Sequence, residues 1–485
     1  MANTLPALTT AELWPLLPEL VLATSAFALL LFDLFFDARQ RGWTQLLAVA
    51  VLLVVGFMAA TGMGGHGIVM HEMFVRDGLS DLAKGVICFT SAAALAYGFD
   101  YLKERNSYKG EVPVLVLFAT LGMMLLASSN NLVMVYVGLE MLALCSYALV
   151  ALERDNPLAT EAGMKYFVLG ALASGMLLYG MSLIYGATGA LDLPVIRAAA
   201  EAGGDNANLL LAGMVFVVAG LAFKLGAAPF HMWLPDVYQG APTPITMFIG
   251  AAPKVAAFIM AYRLLENGLG PINEQWRVLV GGLAALSLIV GNLMALVQTN
   301  LKRMLAYSTV SHIGFLLMGL AGGGVIGYSA ALFYAVIYAI TTVAAFGVIV
   351  LMSRKGFEAE EITDYRGLAK RDPWIAFLLL CVMASLAGVP PFIGFFAKLD
   401  VIRAAVQGDM LWLAIVGIVF AVVGAFYYLR LIKAMYFEQA EEGSEIHARN
   451  NRGMRILFAV NALGLLVLSL GLNPLLAWCR QVFVA

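Results

Sequence analysis

Five ionisable residues stand where so apolar a sequence should have none: Glu140, Lys224, Lys254, His312 and Lys398. Each lies inside a run of apolar residues. A charged group near the centre of a bilayer costs at least about 2.5 kcal/mol, and such residues usually mark ion or proton pathways. Burial disfavours the charged form of an ammonium, whereas a nearby carboxylate favours it. Glu140 therefore has the chemistry to switch Lys224. With the carboxylate near, the lysine holds its proton; with it withdrawn, the proton passes to the next group. The structural alternatives are a static counter-ion for Lys224, and lysines that snorkel or brace helix ends. His231, just past Pro229, is read either as a weak member of the set or as a hydrogen-bonded core histidine, and His312 has the same two readings. Lys84 is one turn from Asp81 and near the end of its run, so an ion pair or snorkelling explains it better than function.

The elements that carry these groups are interrupted helices. In LAFKLGAAPFHMWLPDVYQGAPTPITMFIGAAPKVAAF (Leu221 to Phe258), Gly226, Pro229 and Pro235 fall between the two lysines. Proline lacks a backbone donor and clashes with the preceding turn, so a helix should not pass undisturbed through Ala228-Pro229 or Leu234-Pro235. Backbone freed inside a membrane is tolerated only in protein or beside a hydrated cavity, which predicts water at the break. A second break is expected at Gly388 to Pro391. There the segment from Trp374 to Gln407 has 34 residues, where about 20 suffice to cross.

The chain has 485 residues, 62% hydrophobic and 12% charged, against about 25% charged in a soluble domain. This is the composition of an integral membrane protein. A formal net charge of −2 with scattered charges gives no basis for nucleic-acid binding. The start of the chain carries Glu12 and no basic cluster, so the first apolar run reads as an uncleaved span. About fourteen transmembrane helices are expected in an all-α polytopic fold, with helices 7 and 12 discontinuous. Nineteen Lys and Arg, Arg39 and Arg41 among them, fall in odd-numbered loops and five in even-numbered ones. By the positive-inside rule both termini face away from the cytoplasm. The longest polar stretches, Ser353 to Pro373 and Glu438 to Arg455, are too short for a folded domain. The sequence contains neither a G-x-G-x-x-G opening a βαβ unit nor a P-loop, which argues against ATP hydrolysis or dinucleotide binding by this chain. Cys88, Cys145, Cys381 and Cys479 lack the clustered spacing of an iron-sulfur or zinc site, and no haem or metal site is expected.

The two breaks resemble each other: Leu225-Gly226-Ala227-Ala228-Pro229-Phe230 aligns with Ala387-Gly388-Val389-Pro390-Pro391-Phe392 at an offset of 162 residues. Asn131-Leu132 leading to Glu140 and Asn300-Leu301 leading to His312 align more loosely. The copies lie five helices apart and so run in opposite directions, as in the inverted repeats of transporters. The expected organisation is one membrane domain over 1–485. It comprises helices 1 to 3 in 1–110, a first repeat (helices 4 to 8) in 111–268, a second (helices 9 to 13) in 269–440, and helix 14 with the tail in 441–485. Lys224 precedes its break and Lys398 follows the other, so the repeat predicts architecture better than residue roles.

Five ordered segments carry a family resemblance that covers nearly the whole chain. They are VYVGLEMLALCSYAL around Glu140, FKLGAAPFHMWLPDVYQGAPTP around Lys224, AAPKVAAF around Lys254, NLKRMLAYSTVSHIGFLLMG around His312 and GVPPFIGFFAKLDVI around Lys398. In these the chain resembles the antiporter-like membrane subunits of the proton-pumping NADH:quinone oxidoreductase, respiratory complex I. A lysine after PPFIGFFAK, where the M type is expected to have glutamate, and the lack of a long lateral helix as in the L type, point to the N type, the counterpart of mitochondrial subunit 2. The resemblance implies that Glu140 and Lys224 form the controlling pair, Lys254 relays and Lys398 terminates the half-channels. It also implies that FMN, the iron-sulfur clusters, and the NADH and quinone sites belong to partner subunits. Those partners would be other complex I membrane subunits: a neighbouring M-type subunit, small K-type and J-type subunits, and the lateral helix of the L type, with membrane lipid around them in a bacterial inner membrane.

The leading expectation is a proton-translocating subunit of that enzyme, with protons entering from the cytoplasm near Glu140 and Lys224, passing Lys254 and His312, and leaving outward by Lys398. The rival is a subunit of a multi-component cation/proton antiporter, which shares the broken helices and the Glu/Lys motifs. A membrane scaffold does not account for so many aligned ionisable groups.

Overall fold

A computed structural model of the chain describes residues 10–36, 40, 42–440 and 451–484. Arg39, Arg41 and Arg449, which enter the charge count, lie outside the described residues. Helices α1 (Thr10–Leu13), α2 (Leu17–Asp33) and α3 (Gly42–Ala60) lead to a hairpin of β1 (Gly67–Val69) and β2 (Phe74–Arg76), with Ile68 opposite Val75, and then to α4 (Gly78–Glu104). There follow α5 (Glu111–Ala127), α6 (Leu132–Val150), α7 (Pro157–Thr188), α8 (Leu193–Ala202), α9 (Ala207–Leu225), α10 (Trp233–Gly240) and α11 (Thr243–Tyr262). Next come α12 (Asn273–Leu296), α13 (Leu301–Gly322), α14 (Gly324–Met352), α15 (Leu368–Arg371), α16 (Pro373–Ala387), α17 (Ile393–Gln407) and α18 (Leu411–Phe437). The last two are α19 (Arg452–Leu470) and α20 (Leu472–Val484). Eleven helical stretches among the described residues are long and apolar enough to cross a membrane, and α5 and α16 are shorter apolar helices.

What these helices bury separates a centre from a rim. Helix α13 is enclosed on every side, with α11 and α14 almost as deep. Helices α7, α18 and α19 instead present large apolar side chains outward, among them Phe167, Leu172, Phe426 and Val460. An enclosed helix can carry Ser, Thr, Tyr and His if neighbours satisfy them, and α13 does so with Ser308, Thr309, Ser311 and His312. Close packing relies on small residues: a Cβ at Gly122 of α5 would lie 2.8 Å from the Gly138 carbonyl oxygen of α6. That contact permits only glycine.

Both expected breaks are present, and local chemistry ends each helix in the same way. Gly226 (φ 84°) and Gly388 (φ 82°) adopt the left-handed conformation. The Gly226 and Ala227 amides donate to the Phe223 and Ala222 carbonyls, and the Gly388 and Val389 amides to those of Ser385 and Ala384. This is the Schellman closure, which glycine makes without a Cβ penalty. The Leu234-Pro235 step, expected to disturb the helix, does not: Pro235 occupies the first turn of α10, where its missing N–H would have no intrahelical partner.

Helix starts repeat as well. The Asn131 side chain accepts from the Val133 amide at 2.8 Å and donates to Asp192 at 2.6 Å. That of Asn300 accepts from the Arg303 amide at 3.1 Å and donates to Glu361 at 3.3 Å. Each asparagine also forms an antiparallel bridge with its acidic partner, 61 residues on in both cases.

Charged loops collect at two opposite ends. Arg105 pairs with Glu358 at 2.6 Å, and Asp236 holds both Lys165 (2.7 Å) and Arg303 (2.8 Å). At the other end Arg263 pairs with Asp77 at 2.9 Å and Arg76 with Asp81 at 2.8 Å. Lys84 departs from its expected partner. Asp81 is taken by Arg76 and His66, and the fully buried Lys84 ammonium lies 2.7 Å from Glu19 of α2. Tertiary packing decides this, with α2 held on α3 and α5 so that Glu19 reaches Lys84; the neighbouring turn of α4 gave the wrong partner.

Candidate functional site

Glu140 projects from α6 and accepts a hydrogen bond from Ser174 of α7. Lys224 is the penultimate residue of α9, and among the described residues its ammonium has neither a hydrogen-bond partner nor a carboxylate within 4.0 Å. The two groups line one cavity with Tyr147, Tyr166, Ser174 and Trp233. Its space for the centre of a water molecule is about 20 Å³, enough for one water by the usual requirement of about 10–15 Å³. Glu140 and Lys224 thus act on each other across a hydratable gap rather than as a locked pair.

Lys254 on α11 is buried, and its ammonium donates to the Leu225 carbonyl at the end of α9 at 2.8 Å. It stands 5.2 Å from the centre of the Trp233 ring, a wall of the Glu140/Lys224 cavity. Trp233 is fixed by its indole donor on the Phe223 carbonyl at 3.0 Å and by stacking on Tyr166. Trp233 therefore links the two lysines, lining the cavity that Lys224 also lines and lying beside the Lys254 ammonium.

His312 lies within the enclosed α13. Its Nδ1 is 2.6 Å from the Tyr334 hydroxyl of α14, and its Nε2 is 3.0 Å from the Tyr428 hydroxyl of α18. Tyr428 also contacts Ser308, while Tyr427 donates to Asn292 at 3.2 Å and Asn292 donates to Ser311 at 2.8 Å. An imidazole held between two hydroxyls can take a proton at one nitrogen and release one from the other. Lys398 on α17 is buried and donates to the Leu386 and Ala387 carbonyls at 2.7 and 3.0 Å, with the Phe315 ring centre 5.3 Å away. A second cavity of about 20 Å³ is lined by His312, Tyr334, Tyr338, Ser385 and Leu386, and so runs from the histidine to the second break.

The expected residues fall into two groups, Glu140/Lys224/Lys254 at the first break and His312/Lys398 at the second. His231 lies in the first break, half-buried and edge-on to Tyr307, and lines neither cavity. Sequence reasoning missed Ser174, Tyr334 and Tyr428. It also missed Lys302, counted as a loop charge but only 3% exposed. The available signal was α13 itself, whose Tyr307, Ser308, Thr309, Ser311 and His312 put polar groups on several faces of one apolar helix, as a helix enclosed by protein can carry. Among the described residues, no group of three or more His, Cys, Asp or Glu is placed to hold a metal ion.

The family described as "NADH:quinone oxidoreductase/Mrp antiporter, TM" matches residues 129–424, a span that includes all five site positions. NADH-quinone oxidoreductase subunit N of Xanthomonas euvesicatoria pv. vesicatoria (strain 85-10) is 63% identical over 480 residues, covering 99% of this chain and 98% of that protein. The chain belongs to the NADH-quinone oxidoreductase subunit N family. The chain is also similar to solved structures. A chain of respiratory complex I from Thermus thermophilus, with bound aureothin, superposes with a TM-score of 0.81 at 31% identity over 95% of this chain and 98% of that one. A chain of the Mrp complex from Dietzia sp. DQ12-45-1b, at 22% identity, shares the fold, with a TM-score of 0.85 over 98% of this chain and 97% of that one. The subunit N family and the Mrp chain thus share one antiporter-like membrane architecture.

Proposed function

We propose that the chain is a proton-translocating, antiporter-like membrane subunit of an NADH:quinone oxidoreductase, in which electron transfer from NADH to quinone drives protons along Glu140, Lys224, Lys254, His312 and Lys398. One observation carries the reading. Among the described residues, three lysines sit beside two helix breaks without a carboxylate within 4.0 Å, in a chain 63% identical to a subunit N. FMN, iron-sulfur clusters and quinone then belong to partner subunits, and the chain contributes the membrane pathway. His231 is a weaker member of the set.

Taken as single interrupted spans, α9 with α10 and α16 with α17 bring the crossings from α2 to α19 to fourteen. Helices α5 to α11 and α12 to α18 are then two inverted copies. The repeated asparagine bridges, which lie at opposite ends of the molecule, and the paired Schellman closures support this. With basic odd-numbered loops in the cytoplasm, both termini are periplasmic in a bacterial inner membrane. Protons enter near Glu140 and Lys224 and leave by Lys398, which lies on the segment running to the Arg277 end of the molecule. The apolar faces of α7, α18 and α19 are surfaces for lipid and for M-, K-, J- and L-type subunits.

Affinity purification of this chain from its own membrane tests the reading. Co-purifying flavin and iron-sulfur subunits with NADH:quinone activity are expected. A complex of small membrane proteins alone would replace it with a cation/proton antiporter.

A further inference from the structure

Resting on that reading, we propose that Lys302 is a proton-exchanging residue at the cytoplasmic mouth of the second half of the chain, feeding His312. Lys302 is the second residue of α13, buried to 3% exposure. Its ammonium has three donors and one acceptor, the carbonyl of Ala241 at the end of α10, at 2.8 Å. Glu360, Glu358 and Glu153 attract it through space and Arg105 repels it, but none of the carboxylates comes within 4.0 Å. The contrast with Lys84 is direct. That lysine, equally buried, is matched by Glu19 at 2.7 Å as a structural ion pair requires. Lys302 instead has the surroundings of Lys254 and Lys398, each a buried ammonium on the end carbonyls of a helix.

A route leads to it and away from it. Glu153 and Glu358 line an open cleft of about 640 Å³ together with Arg105, Lys109 and Asp155, so two of the three carboxylates that act on Lys302 meet solvent. On the inner side the Tyr238 hydroxyl of α10 is buried beside Thr309. Tyr338 donates to Thr309 at 2.8 Å and lines the cavity that reaches His312. The neutral amine takes a proton from the cleft; the ammonium returns it inward to this row of hydroxyls, and the amine is restored.

The test uses the assembled, purified complex with Lys302→Arg, Lys302→Met and Glu153→Gln, and Lys224→Ala beside them. Arginine keeps the charge and the contact with Ala241 but does not release a proton. A proton-exchange role therefore predicts that quinone reduction falls at least about tenfold in both Lys302 variants, within the range a proton-transfer group contributes, with normal subunit composition. Glu153→Gln should shift the pH profile of turnover. A Lys302→Arg complex with wild-type turnover reduces Lys302 to a helix cap and overturns the proposal. If that variant does not assemble, an unchanged pH profile in Glu153→Gln overturns it. A slow Lys224→Ala beside a wild-type Lys302→Arg defeats this inference alone, whereas wild-type turnover in Lys224→Ala defeats the function on which it rests.

Discussion

Lys254 stands in the same relation to α9 as Lys398 does to α16. One donates to the carbonyl of Leu225 and the other to those of Leu386 and Ala387. Both ammonium groups meet the negative end of a helix dipole and carbonyls that have no partner within the helix. The contact makes Lys254, rather than Lys224, the counterpart of Lys398, a correspondence that the spacing of the two motifs concealed.

From this geometry Lys398→Arg should impair the enzyme more than its retained charge suggests. The guanidinium can still reach the carbonyls but keeps its proton. Quinone reduction and proton pumping in the assembled complex should both fall, by about tenfold or more if the group transfers protons in each turnover. Wild-type pumping in this variant would make Lys398 a structural cap.

The glycines that end α9 and α16 should resist replacement. An L-residue in their left-handed conformation costs about 1–2 kcal/mol, and a Cβ would lie 2.4 Å from Leu234 at Gly226 and 2.9 Å from Lys398 at Gly388. Gly226→Ala and Gly388→Ala should lower the yield of assembled complex and its thermal midpoint. Gly282→Ala, where nothing lies within 4 Å, should not. Equal stability of all three would refute the closure assigned to the breaks.

These ends were legible in the sequence because a helix stop depends on local chemistry, Gly followed by Pro. Pro235 was misjudged for the complementary reason: whether a proline breaks a helix depends on its place in the turn, and α10 begins two residues earlier. Glu140, Lys224, Lys254, His312 and Lys398 stood out because charge is rare in apolar runs. Their partners did not stand out. Ser174, Tyr334 and Tyr428 come from other helices, brought close by packing that no local pattern encodes. Lys302 was lost among loop charges because burial at a helix end depends on what covers it.

Lys84 and Glu19 offer a test of structure apart from transport. Removing one partner of a buried ion pair typically costs about 3–5 kcal/mol, whereas replacing both with apolar residues can be close to neutral. Lys84→Ala should therefore reduce thermal stability and assembly sharply, and the double variant Glu19→Leu, Lys84→Met should recover most of the loss. A double variant as unstable as the single one would contradict the pairing.

The central claim is that Glu140 and Lys224 control proton movement that is tightly coupled to quinone chemistry elsewhere. Quinone reduction and proton pumping measured together in assembled complexes carrying Lys224→Ala or Glu140→Gln test it most directly. Both activities should fall in parallel, to about a tenth or less of wild type, with all subunits present. Wild-type rates of both activities in either normally assembled variant would contradict the account.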